Sequence, residues 1–106
     1  MSDQYIITGD NGEPVAAVDL DKLQSDATRL MYALAATAGD DQATDQVALR
    51  WSSTLDPDYF GYVAAGALSL LVRHVLGPTL DVTDQLGVDL RRGLRDAAAN
   101  AEANLG

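Results

Sequence analysis

"YFGYVAAGALSLLVRHVLGP", Tyr59 to Pro78, is the stretch on which the reading of this chain turns. Its first fourteen residues carry no charge, in a 106-residue chain of which 22% is charged. It could be a membrane span, the centre of a soluble core, or a surface for another protein. A helix crossing a ~30 Å hydrocarbon layer needs about 20 mainly apolar residues. Here the uncharged run ends at Arg73 and His74, and Gly77-Pro78 is expected to stop the helix, so no span is expected. Asp56-Pro57 supplies the helix start, because Asp accepts hydrogen bonds from free N–H groups and Pro at the first helical position loses none. At 100° per residue the face with Phe60, Val63, Ala67, Leu68, Leu71 and Val75 is wholly apolar. Gly61, Ala65 and Ser69 form a small-residue face suited to a close neighbouring helix, which leaves Tyr59, Tyr62, Gly66 and Arg73 for solvent. A helix apolar over more than half its circumference is a central one.

Upstream, "QYIIT" and "VAAVD" flank "GDNGEP", and Asn11-Gly12 suits a tight type I′ turn, so residues 4–18 read as a β-hairpin. A two-strand ribbon alone is marginal in water, so it is expected to lie on helices or to gain a strand from another chain. The first helix is expected to start after Asp19 and end at Gly39, with Leu20, Leu23, Ala27, Leu30, Leu34 and Ala38 on one face. Residues 45–55 are ambiguous: Val47, Leu49 and Trp51 alternate as in a strand, while Val47, Trp51 and Leu55 recur as in a helix, and a short helix is favoured. The last helix is expected from about Thr83 to Asn104, with Leu86, Leu90, Leu94, Ala97, Ala101 and Leu105 at almost unbroken fourth-residue spacing.

Sixteen acids against seven bases give a net charge of -9. Direct binding to nucleic-acid phosphates or to an anionic membrane surface is therefore not expected, since the long-range field is repulsive. There is no cysteine, which removes disulfides, thiolate metal sites and thiol nucleophiles and fits a reducing cytoplasm. The N-terminus lacks the basic and apolar regions of a conventional signal peptide.

No catalytic constellation is visible. His74 is the single histidine and has no partner at a useful spacing; near a helix end its positive form is favoured by the helix C-terminus. The acidic groups in "GDNGE", "GDD" and "DPD" lack the alternating ligands and terminal glutamate of a calcium loop, and a turn and helix caps account for them. "DLRRGLRDA" says more. Arg92 has Asp89 and Asp96 at helical spacing, whereas Arg91 and Arg95 have no acid three or four residues away and stack on each other. Acids elsewhere in the chain, acids of a second chain, or an anionic ligand would offset that repulsion.

The sequence thus predicts one α+β domain, mainly α, over residues 1–106: an N-terminal hairpin packed on three to four helices, with the helix of about 57–76 in the centre. The expected role is a non-enzymatic, cytoplasmic interaction or regulatory module that binds a protein partner or itself as a homodimer, such as a helper protein of a bacterial chromosome or mobile element. No cofactor or metal is expected. Tyr59, Tyr62, Arg73, Arg91 and Arg95 are the candidate partner interface, because aromatic and Arg residues are enriched at binding surfaces. Two alternatives predict different surfaces: an acidic mimic of nucleic acid needs arrayed Asp side chains, and a small enzyme needs a pocket of convergent polar groups.

Overall fold

The computed structural model describes residues 4–8 and 14–105, with side chains from Asp19 onward. The expected α+β class is corrected to mainly α: from Leu20 to Leu105 the chain is helices and their connections, without a strand, consistent with a helical bundle. Ahead of it, the backbone of β1 (Gln4–Thr8) pairs antiparallel with β2 (Pro14–Asp19), Gln4 opposite Asp19 and Ile7 opposite Ala16. The buried apolar residues among those described, Ala27, Leu30, Met31, Val63, Ala67 and Leu80, all lie in helices, which is why the class is mainly α. The turn expected at Asn11-Gly12 lies outside the described residues.

The chain forms two compact units, residues 1–71 and 72–106. In the first, α1 (Leu20–Ala35) begins where Asp19 accepts hydrogen bonds from the backbone N–H groups of Asp21 and Lys22. It ends four residues earlier than expected, and a tight turn follows that closes on Gly39 at φ +93°. Asp40 then caps α2 (Asp41–Thr54) through the N–H of Ala43, so the ambiguous stretch 45–55 is helical up to Thr54. Asp56 accepts from the N–H of Tyr59 at 3.2 Å and starts α3 (Pro57–Leu71).

The core of this unit is the seam between α1 and α3, where Ala27, Leu30, Met31, Val63 and Ala67 are buried. Gly66 is a point of close approach: a Cβ there would stand 3.1 Å from the Cβ of Ala27. The small-residue face was therefore placed wrongly, since Gly61, Ala65 and Ser69 are exposed and Gly66, assigned to solvent, is the contact. Helix α2 buries no residue fully. Between it and the seam lies an apolar cavity of about 170 Å³ lined by Met31, Leu34, Ala48, Phe60 and Ala64 among others.

In the second unit the expected stop at Gly77-Pro78 does not occur. The helical backbone is continuous from Pro57 to Gln85, with a π-helical turn over Val72–Leu76 leading into α4 (Gly77–Gln85). Pro lacks an N–H and its ring collides with the carbonyl four residues earlier, so an α-helix cannot run through it undisturbed. The wider π turn absorbs that defect, and Gly77 permits it: a Cβ there would sit 3.2 Å from the Val72 carbonyl oxygen. The true stop is Gly87, at φ +80°, where the N–H of Val88 donates to the Thr83 carbonyl. Asp89 caps α5 (Leu90–Leu105) through the N–H of Arg92, so the single helix expected over 83–104 is two.

Among the described residues one helical run, Pro57–Gln85, is long and apolar enough to cross a membrane. The expected exclusion of a span, from the uncharged run ending at Arg73 and His74 and a stop at Gly77-Pro78, is corrected on length, because the helix runs on to Gln85. Part of its apolar face, Val63 and Ala67, is occupied within the first unit, and Arg73, His74, Asp81 and Asp84 lie along it.

Candidate functional site

Asp26 is the one buried charged residue among those described. Tyr59 Oη donates to its Oδ2 at 2.7 Å and Lys22 Nζ to the same oxygen at 2.9 Å, while Arg29 Nη1 reaches Oδ1 at 3.3 Å. Helical spacing sets the local part of this cluster, because residues three and four positions from Asp26 share its face of α1. The α1–α3 seam sets the rest by bringing Tyr59 across. Lys22 also lies over the Tyr59 ring, 4.3 Å from its centroid, and Arg29 over that of Trp51 at 5.2 Å.

Burial pushes the Asp26 carboxyl up, but the hydrogen bonds from Lys22 and Tyr59 and the neighbouring positive charges outweigh it and hold the group below the ordinary carboxylate range. The hydrogen bond to Asp26, aided by that to Tyr59, pushes the Lys22 ammonium up. Burial, then the bond to Asp26, raises the Tyr59 phenol. A carboxylate kept ionised with both oxygens occupied is a poor proton acceptor, so this cluster locks α1 to α3 and does not resemble a general acid–base pair. Among the described residues no group of three or more His, Asp or Glu is placed to hold a metal ion.

The five residues singled out in the sequence do not converge on one site. Tyr59 is half-buried and committed to Asp26 and Lys22. Tyr62 is 41% exposed, beside Gly66 and Ala27 in a shallow groove. Arg73 is exposed in the π turn. Arg91 donates to Asp81 at 2.9 Å, to Asp84, and weakly to the Gly77 carbonyl, so the acids that offset it come from α4. Those hydrogen bonds, that to Asp81 foremost, raise its already high pKa. Arg95 is exposed on α5 and makes no ion pair among the described residues.

The second unit has another kind of surface. Helix α5 carries an apolar stripe of Leu90, Leu94, Ala97, Ala101 and Leu105, yet buries none of its sixteen residues. Leu90, Leu94 and Leu105 are 46%, 48% and 83% exposed, and Leu86 and Val88, just before the helix, are also open. Comparison with known proteins adds nothing to this geometry: no family model, no curated protein and no solved structure matches the chain.

Proposed function

We propose that this protein is a non-enzymatic interaction module that associates with a second copy of itself through α5. The observation that carries this reading is the sixteen-residue amphipathic helix with no buried residue. Such a stripe belongs against an apolar partner, since an amphipathic helix draws most of its stability in water from packing. Charge argues for a second copy. Residues 1–71 hold eleven acids and three bases, whereas residues 72–106 hold five acids and four bases. Nearly all of the net negative charge thus lies outside the unit that bears the stripe, and two copies meet there with little repulsion. Gly93, Ala97 and Ala101 lie along or beside the stripe and let two helix backbones approach closely.

Leu86, Val88, Leu90, Leu94 and Leu105 together leave the equivalent of about three large apolar side chains in water. At roughly 1.5–3 kcal/mol each, two copies would gain about 9–18 kcal/mol by covering them. That exceeds much of the estimated ~4–15 kcal/mol cost of association. Size-exclusion chromatography with light scattering on the full chain tests the reading. A dimer is expected at about 100 μM, and Leu90→Lys/Leu94→Lys is expected to be monomeric with unchanged helix content by circular dichroism. A monomeric wild-type chain, or a dimer that survives the double substitution, would refute it.

A further inference from the structure

We propose that the cleft between α1 and α2 is a binding site for a small aromatic oxyanion, a phosphate or carboxylate attached to a flat ring. The cleft measures about 900 Å³, and Lys22, Asp26, Arg29, Tyr32, Arg50 and Trp51 are among its lining residues. Lys22, Arg29 and Arg50 are all the bases in residues 1–71, and all three line this one cleft. Of the eight acids between residues 19 and 71, only Asp26 does so. A patch with two surplus positive charges therefore opens on the unit that is otherwise the acidic part of the chain.

Among the described residues that charge is not cancelled locally. The Asp26 carboxylate is divided between Lys22 and Arg29. Arg50 is exposed, has no ion-pair partner among the described residues, and has no acid three or four positions away in the sequence. A guanidinium fork suits carboxylate and phosphate alike. Trp51 and Tyr32 supply the aromatic wall, and the Trp51 ring with Arg29 over it already shows the stacking that a flat ligand would extend. The volume is within the range of small-molecule sites. A long polyanion is disfavoured, because the surrounding field of a chain with net charge -9 repels it, whereas a ligand confined to the cleft meets the bases first.

Trp51 is the sole tryptophan, so its fluorescence reports on this cleft alone. The full chain is titrated with adenosine monophosphate, benzoate, inorganic phosphate and adenosine, exciting at the red edge of the indole band. A saturable Trp51 response to the monophosphate identifies the phosphate source and one to benzoate the carboxylate source; either supports the proposal when Arg50→Gln weakens it at least tenfold and Arg92→Gln, on α5, leaves it unchanged. Adenosine and inorganic phosphate alone are expected to bind at least tenfold more weakly than their combination. The proposal is overturned by no response to either aromatic anion, by inorganic phosphate matching the monophosphate, or by full binding in Arg50→Gln with wild-type circular dichroism.

Discussion

Replacing Tyr59 by Phe removes one hydroxyl and tests whether the Asp26 cluster holds α1 to α3. The bond lost is the 2.7 Å donation to an ionised carboxylate whose side chain is 11% exposed. Hydrogen bonds to charged groups contribute ~1.5–3 kcal/mol. Asp26 keeps Lys22 at 2.9 Å and Arg29 at 3.3 Å, so it is not stranded, and the cost belongs near the lower end, about 1.5–2 kcal/mol. With a urea slope of ~1–3 kcal/mol/M, the unfolding midpoint should fall by about 1 M at pH 7. The assay is urea denaturation followed by circular dichroism, with the slope required to stay constant. Asp26→Ala completes a double-mutant cycle: in that background Tyr59→Phe should cost clearly less, since the carboxylate acceptor is gone and only the 3.3 Å bond from Lys22 remains. A Tyr59→Phe midpoint within about 0.2 M of wild type, or equal costs in both backgrounds, would refute the lock.

Acid should reveal the same cluster. The folded Asp26 carboxyl titrates below its unfolded value near ~3.9, so its contribution is complete above that pH and is lost as pH falls through the lowered folded value. Urea midpoints from pH 7 to pH 2.5 should therefore fall further in wild type than in Asp26→Asn; parallel curves would refute this. Met31→Ala, at a fully buried position of the α1–α3 seam, should cost about 2–5 kcal/mol by the same denaturation assay. The two glycines of α3 should respond oppositely: Gly61→Ala, with open space around it, should raise stability by up to about 1 kcal/mol, while Gly66→Val should lower it by about 1–3 kcal/mol as its side chain meets Ala27. Equal effects at Gly61 and Gly66 would contradict the close approach.

The sequence by itself determined the local features, because those depend on neighbours a few residues apart. Asp19, Asp40 and Asp56 each sit where a helix begins, and each caps it. The apolar period of α1 placed Ala27 and Leu30 in the core. The ion pairs of Asp26 with Lys22 and Arg29 were legible as i,i±4 and i,i±3 spacings, though nothing in the sequence marked Asp26 as buried. Gly87 followed by Asp89 was likewise a readable stop and start within what looked like one apolar period.

Only tertiary structure decided the rest. Local rules end a helix at Gly77-Pro78, but a π turn lets it continue, so a pattern that reads as a terminus became a helix interior. Which small residue of α3 meets α1 depended on the rotation of one helix against the other, and that rotation chose Gly66 over Gly61, Ala65 and Ser69. It also turned Tyr59 from an expected surface residue into a partner of Asp26, thirty-three positions away. Arg91 found Asp81 and Asp84 because the chain turns at Gly87, ten and seven positions back and outside the three- and four-residue spacing of a helix face. Spacing fixes which side chains share a face, and packing fixes what that face meets.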